Sequence, residues 1–169
     1  TTRETVDSFW PKTYLLPDDV GKISEILEMN QKKLKRRKQT WIAKPSGGSQ
    51  GEGISLLQTV SDLRSMTSMS HKVKTAVVQE YCRRPFLFKN DTKKFDLRCY
   101  MLIASVNPLK VYIHKEGLAR FCTEDYAAPT QQNLHEAYRH LTNYSLNKRS
   151  ENYIHSSEQE GEGEENFGE

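Results

Sequence analysis

The sequence lacks any hydrophobic run long enough to cross a membrane, and its hydrophobic content is low. Hydrophobic residues occupy 36% of its 169 positions, against ~45–50% in typical globular domains. No run approaches the ~18–20 apolar residues of a membrane helix, and the first residues do not form a charged-then-apolar leader. We therefore expect a soluble chain without membrane contact, in the cytoplasm or on the cytoskeleton.

Cysteine and histidine patterns typical of metal or disulfide frameworks are also missing. The three cysteines, Cys82, Cys99 and Cys122, are odd in number and form no C-x-x-C pair. They lie in apolar, strand-like runs, which predicts buried free thiols in a reducing compartment. His135 and His140 do not have the H-E-x-x-H spacing, so no metal site is predicted on this chain.

A glycine-rich segment, residues 46–53, lies between two predicted strands, residues 40–45 and 54–57. No Gly-Lys-Ser/Thr follows it, and no helix pattern follows either, so it is neither a Walker loop nor a dinucleotide fingerprint. Glycines let backbone N–H groups approach an anion closely, as in phosphate-binding flaps. An exposed hairpin end would use the same residues, so the loop alone does not decide.

Charge divides the chain into two predicted regions. Seven acidic residues and no Lys or Arg lie in 151–169, a Glu/Gly/Ser-rich segment that we expect to be a disordered linker. The other 15 acidic and all 25 basic residues give 1–150 a formal charge of +10. A basic domain suits nucleic acid, an anionic membrane, nucleotide phosphates or an acidic protein. The basic run 32–38 is a solvated helix end or a contact with such a partner.

Apolar spacing predicts several further elements. A helix is expected from Val20 to about residue 34, capped at Asp18 or Asp19, and a shorter one across residues 61–69. Residues 75–82 are rich in β-branched residues and predict a strand, which ends at the Arg83-Arg84-Pro85 sequence.

The central run predicts a β-hairpin, with strands at 94–104 and 109–114 and a turn at Asn107-Pro108. One alternating set, from Phe95 to Ile103, is apolar throughout. Lys94, Asp96 and Arg98 share the other face. Such a row is either a salt-bridged, solvated sheet face or a preorganised phosphate site.

Six blocks in one order resemble the tubulin tyrosine ligase-like family over about residues 9–148. They are FWPKTY (9–14), WIAKP with QGEGI (41–45, 50–54), VQEY (78–81), KFDLR (94–98), EGLAR (116–120) and HLTNYS (140–145). The resemblance implies an α+β ATP-grasp fold, comprising the central lobe and part of the C-terminal lobe. Its sheets would be mostly antiparallel, with flanking helices.

The same resemblance implies an ATP- and Mg2+-dependent ligase that adds amino acids, above all glutamate, to carboxylates of tubulin through an acyl phosphate. Its partners would be microtubules with acidic tails and a free amino acid, and its location the cytoskeleton, including cilium or basal body. Glycine instead of glutamate, or a non-catalytic tubulin- or ATP-binding module, remain alternatives. A nucleic-acid binder is the third reading, resting on residues 32–38.

Site roles follow from the motifs that match the family. For the nucleotide, the resemblance implies one phosphate-binding lysine, two flap residues, four hinge residues, three residues of the central strand and two near phosphates or ribose: Lys44, Gln50, Gly51, Gln79, Glu80, Tyr81, Cys82, Lys94, Phe95, Asp96, Thr142 and Asn143. It implies that Arg98 stabilises the transferred phosphoryl group and that the amino acid is held by Arg120, Tyr144 and Ser145. We expect Lys44, Lys94 and Arg98 to share one cleft.

The sequence departs from the family pattern at two points. Glu52 stands between the flap glycines where many members have Arg, which replaces a cation with an anion at a phosphate-covering flap. The family's later Asp and Glu-x-Asn block, which supplies magnesium ligands, does not occur before Glu169. Hard cations need several oxygen ligands, so we expect the chain to be inactive alone.

Overall fold

The computed structural model of the chain describes residues 9–32, 38–47, 51–68 and 75–154. Within these ranges the strands are β1 (Thr13–Leu16), β2 (Trp41–Pro45), β3 (Ser55–Leu57), β4 (Ala76–Glu80), β5 (Lys93–Arg98), β6 (Met101–Val106), β7 (Leu109–Ile113) and β8 (Leu118–Asp125). The helices are α1 (Val20–Lys32), α2 (Val60–Ser68), α3 (Ala137–His140) and α4 (Tyr144–Asn147). The α+β class with antiparallel sheets is thereby confirmed.

The largest sheet has four antiparallel strands in the order β1-β4-β2-β3. Alternation sets its buried face, because successive side chains of a strand point to opposite sides. Trp41 and Ala43 of β2 are buried, as are Ala76 and Val78 of β4. The opposite face of β2 and β4 carries Lys44 and Gln79, and it is therefore the face available to a ligand.

Helices α1 and α2 cover the apolar face of this sheet. Each contributes residues at helical spacing to the main core, with Ile23 and Leu27 from α1 and Leu63 and Met66 from α2. Full burial of such side chains stabilises the fold by ~1.5–3 kcal/mol each. The predicted helices are thus confirmed, although α1 ends at Lys32 in the described part of the chain.

The helix starts differ in how they are capped. Asp19 accepts from the backbone N–H of Leu15 at 3.0 Å, so its side chain ties the preceding strand to α1 instead of capping the first turn. At α2, Thr59 and Asp62 exchange hydrogen bonds, N–H to side chain in both directions, at 2.8 and 3.1 Å. This is a capping box with Asp at the third position.

The prediction of a single strand over 94–104 is wrong, because Cys99 and Tyr100 are not in a strand and separate β5 from β6. Strand β5 leaves the hairpin and pairs with β8, whereas β6 and β7 pair around Asn107-Pro108, as predicted for the turn. The predicted apolar face is not covered either, since all of β7 and five of the six β6 residues are exposed. The alternating pattern from Phe95 to Ile103 predicted one continuous strand, but its first part pairs with β8 instead.

Burial of the cysteines was predicted correctly for Cys122 alone. Cys82 and Cys99 are exposed, because Cys82 follows the end of β4 and Cys99 lies at the break between β5 and β6. Strand-like composition around a residue does not bury it when the strand ends beside it.

Some predictions fall outside the described residues. These are the calls on Gln50, on most of the basic run 32–38 (residues 33–37), on Met69 and on residues 155–169 of the acidic segment. Within the described part, no helix combines the length and apolar character that spanning a membrane requires.

Candidate functional site

A cleft of about 660 Å³ lies where the polar face of β2 and β4 meets the start of β5. Its lining includes six residues predicted to bind nucleotide: Lys44, Gln79, Glu80, Tyr81, Cys82 and Lys94. Ligand sites in proteins typically occupy ~300–1,000 Å³. The cleft therefore has the size of a typical ligand site, and its lining carries the cations Lys44, Arg83, Arg84 and Lys94.

Lys44 is oriented by its neighbour on β4. Its Nζ donates to Gln79 Oε1 at 3.0 Å, and Gln79 Nε2 donates to Thr13 Oγ1 at 3.0 Å. This chain of bonds crosses three adjacent strands and fixes both ends of the amide. Gln79 therefore supports a cation in addition to lying at the predicted hinge.

The hinge after β4 has few free backbone donors. The Glu80 N–H donates to Lys12 O at 2.8 Å and the Tyr81 N–H to Thr40 O at 2.9 Å. The Cys82 N–H has no such acceptor among the described residues. A base bound in the cleft would thus find a backbone donor at Cys82, whereas the Glu80 side chain is engaged by Gln39 at 2.8 Å.

Lys94 reaches the cleft from β5 and has three contacts. Its Nζ donates to Tyr81 Oη at 3.1 Å and to the His140 carbonyl at 2.9 Å. It also lies 4.3 Å from the centre of the Tyr81 ring, a cation–π distance. Lys94 thereby joins the hinge to the HLTNYS segment, which begins at His140.

Burial determines the protonation of this group. It lowers the pKa of Lys94 and raises that of Tyr81, because the charged form of each loses hydration. Burial likewise lowers the pKa of His140 to about 4, with the positive charges of Lys94 and Arg139 adding to the effect. At neutral pH the imidazole is therefore uncharged and the phenol keeps its proton.

The flap touches the HLTNYS segment. Gly51 has φ +86°, and a Cβ there would lie 3.0 Å from Asn143 Cγ. Both the left-handed conformation and this approach favour glycine. Two residues predicted at the phosphates are thus in contact, although neither lines the 660 Å³ cleft.

A second cavity, of about 400 Å³, gathers residues from β8 and the HLTNYS segment, including Arg120, Thr142 and Tyr144. Arg120 Nε donates to Asp96 Oδ1 at 2.8 Å, and a second guanidinium N–H donates to Oδ2. This bidentate pairing raises the pKa of Arg120. Two of the three residues predicted to hold an amino acid therefore share one cavity.

The remaining predicted residues lie elsewhere. Arg98 is exposed, lines neither cavity and has no ion-pair partner within the described ranges, so the expected shared cleft holds for Lys44 and Lys94 only. Phe95 stacks on Phe88 and Phe121, with ring centres 4.9 and 5.4 Å apart. Ser145 lines a third cavity together with Gly51 and Glu52.

His140 is the residue that sequence reasoning missed. Its side chain is 1% exposed and hydrogen-bonds to Tyr81 and Asn133. Its place beside the Leu-Thr-Asn segment was a weak signal, because a histidine in a polar run usually has no special role. Only the fold brings it against the hinge, 59 residues earlier in the chain.

Magnesium does not fit the described residues by themselves. Mg2+ prefers several oxygen ligands, and the part of the chain that the structure describes contains no group of three or more His, Cys, Asp or Glu side chains suited to a metal. Asp96 is the carboxylate of β5 that lies near Lys94, and its oxygens already accept hydrogen bonds from Arg120 instead of being available to a metal.

Sequence comparison identifies the class of protein to which this fold and these residues belong. The tubulin-tyrosine ligase family model matches residues 1–169, so the chain belongs to that family.

Individual relatives agree with this assignment. Over 149 residues the chain is 46% identical to the human tubulin polyglutamylase TTLL11, which covers 88% of this chain and 20% of that protein. It is 40% identical over 150 residues to Caenorhabditis elegans tubulin polyglutamylase ttll-11, with 89% and 20% covered. Human tubulin polyglutamylase TTLL7 is 38% identical over 146 residues, with 86% and 15% covered. The chain spans about a fifth or less of the length of these curated relatives.

Proposed function

We propose that the chain forms the nucleotide-binding part of an ATP-dependent ligase that joins amino acids, above all glutamate, to carboxylates of tubulin. The observation that carries this proposal is the cleft in which Lys44 and Lys94 face a hinge whose Cys82 N–H has no acceptor among the described residues. The names of the relatives, tubulin polyglutamylases, support the substrate class. A cytoskeletal location follows from the same proposal.

Bound ATP would supply the phosphoryl group that activates an otherwise unreactive carboxylate. Lys44 and Lys94 would neutralise its phosphates, and Cys82 would read the base through its N–H. Since little covalent chemistry falls to the protein in phosphoryl transfer, catalysis rests on position and charge. Arg98 is the proposed stabiliser of the transferred group and would have to approach from its exposed position on β5.

Activation of the carboxylate by ATP would be followed by attack of the amino acid, and this second step would use the 400 Å³ cavity. The amine of the incoming amino acid would attack the carbonyl carbon of the acyl phosphate: the C–N bond of the amide would form, the C–O bond to phosphate would break, and inorganic phosphate and the amine proton would leave. Arg120 would pair with the substrate carboxylate, because a guanidinium binds carboxylates bidentately. The Asp96 carboxylate already accepts hydrogen bonds from two guanidinium nitrogens of Arg120, so the substrate carboxylate would share Arg120 with Asp96 or displace Asp96 from it. Tyr144 and Ser145 would complete the amino-acid pocket.

The test measures transfer of labelled glutamate to tubulin by the longest natural polypeptide that contains these residues, hereafter the parent polypeptide. Transfer should require ATP and magnesium and should be abolished by Arg120→Ala, whereas Arg64→Ala, an exposed arginine on α2, should be neutral. Unchanged transfer in Arg120→Ala would remove the proposed amino-acid site. Labelled glycine in parallel distinguishes a glycylase.

A second candidate is a module that binds nucleotide or tubulin without catalysis. Two observations favour it: Glu52 puts an anion on the exposed flap, and the described residues hold no metal-binding cluster. Magnesium-dependent ATP binding by the parent polypeptide with no transfer of either amino acid would support it. The basic domain is proposed to contact acidic tubulin tails, with neither nucleic acid nor membrane as partner.

A further inference from the structure

The ammonium group of Lys94 is held by groups from two other segments of the chain. Tyr81 Oη lies 3.1 Å from Nζ and the His140 carbonyl lies 2.9 Å from it. A lysine side chain otherwise samples many rotamers, and ordering it costs conformational entropy. These two hydrogen bonds fix the direction of the ammonium group.

The proton positions in this group follow from one fixed acceptor. His140 Nε2 lies 3.1 Å from the Asn133 carbonyl, which can only accept, so Nε2 carries the hydrogen. Nδ1 then has a lone pair, and Tyr81 Oη, 3.2 Å away, donates to it. Because the Tyr81 hydroxyl hydrogen is used in the bond to His140, the Tyr81 oxygen can only accept a hydrogen bond from Lys94. The bonds therefore run from Lys94 through Tyr81 and His140 to Asn133.

We infer that His140 is a positioning residue which, acting through Tyr81, aims the Lys94 ammonium into the 660 Å³ cleft. The inference rests on the proposed function only for the identity of the ligand, the phosphate groups of a nucleotide. Burial supports it, because an imidazole that is 1% exposed stays neutral and keeps its acceptor. The Tyr126 ring packs nearly perpendicular to the imidazole, with the two ring centres 6.2 Å apart.

A purely structural role for His140 makes a different prediction from a positioning role. If the imidazole only fills space, Gln, which is closer to it in volume, should replace it better than Asn. If the Nδ1 acceptor matters, Asn should be the better replacement, because its Oδ1 lies near the position of Nδ1. Gln would keep the bond to Asn133 but leave the Tyr81 hydroxyl without an acceptor.

The first experiment measures the Kd of the parent polypeptide for ATP with magnesium. Tyr81→Phe should weaken binding about tenfold, since a hydrogen bond to a charged group is lost while the ring remains. Tyr112→Phe, on the exposed strand β7, is the matched control and should bind as the parent does. An unchanged Kd in Tyr81→Phe would overturn the inference.

The second experiment compares His140→Asn with His140→Gln in the same assay. His140→Asn should retain more affinity than His140→Gln, and the reverse order would overturn the positioning role. His135→Asn is the control, because His135 is exposed and does not line the nucleotide cleft.

A measurement without ligand separates this inference from the proposed function. In 15N NMR of the lysine ammonium groups, Lys94 should give a slowly exchanging signal that persists in Tyr112→Phe and is lost in Tyr81→Phe. The imidazole spectrum should show a protonated Nε2 and an unprotonated Nδ1. If the Lys94 signal is unaffected by Tyr81→Phe, the inference fails; if both signatures are present and ATP does not bind, the proposed function fails instead.

Discussion

Asp96 and Arg120 face each other as direct partners across the β5–β8 ladder, and the carboxylate accepts two hydrogen bonds from the guanidinium. The family pattern implies different ligands for the two residues, a nucleotide for Asp96 and an amino acid for Arg120. Since β5 contributes Lys94 to the 660 Å³ cleft and Lys93 to the 400 Å³ cavity, one strand connects the two. We expect binding in one to affect the other.

The Asp96–Arg120 pair should show measurable coupling in a double-mutant cycle. With Asp96→Asn and Arg120→Gln, we expect a coupling of about 1 kcal/mol in the free energy of unfolding, because the pair is bidentate but partly exposed. The Asp19–Lys22 pair at the start of α1, whose lysine is exposed, is the control and should show weaker coupling. Equal coupling in both pairs would contradict a special role for the β5–β8 pair.

Lys94→Met should lower affinity for ATP with magnesium by more than about tenfold, because both a phosphate-facing charge and its hydrogen bonds are removed. Equilibrium binding by the parent polypeptide measures this. Lys110→Met is the control: it removes the same charge on the exposed strand β7, which does not line the cleft. Similar losses in the two variants would point to net charge, not to the site.

Gly51→Ala should weaken nucleotide binding severalfold and destabilise the flap. Alanine resists the φ of +86°, and its Cβ would lie 3.0 Å from Asn143 Cγ. Gly47→Ala is matched to it, since a Cβ at Gly47 meets nothing within 4 Å. Binding and thermal unfolding of both variants test this, and equal behaviour would show that the flap does not need its glycine.

The pKa of His140, measured by NMR titration, should be about 4. Between pH 6.5, the usual histidine value, and pH 4 the unfolded chain binds more protons than the folded one, so the free energy of unfolding falls as pH decreases. The slope from this group approaches roughly 1.4 kcal/mol per pH unit. It should disappear in His140→Asn and persist in His135→Asn. A pKa near 6.5 would show that the ring is solvated.

The cysteines should differ in reactivity toward a thiol reagent. Exposed Cys82 and Cys99 should react quickly, whereas burial raises the pKa of Cys122 to about 11 and blocks access. ATP should protect Cys82, which lines the cleft, and leave Cys99 unprotected. Mass spectrometry of the labelled peptides measures each site. Protection of Cys99 alone would locate the nucleotide elsewhere.

Local pattern was sufficient for several individual elements. Helices α1 and α2, predicted at 20 to about 34 and at 61–69, the strands β2, β3 and β4, and the turn at Asn107-Pro108 were all predicted from spacing and composition. Each of these signals lies within a few residues, where side-chain period and turn chemistry determine the conformation. Six short blocks likewise predicted the family, which the comparison confirms.

Pairing between distant segments was decided by the tertiary structure alone. Nothing near Arg98 shows that β5 leaves its hairpin for β8, that Cys82 and Cys99 become exposed, or that Arg98 does not line the cleft of Lys44 and Lys94. The Tyr81–His140 contact joins residues 59 positions apart. The amino-acid order thus determined which segments fold and which family they belong to. Which side chains meet depended on sheet register and packing, because both are properties of the whole chain.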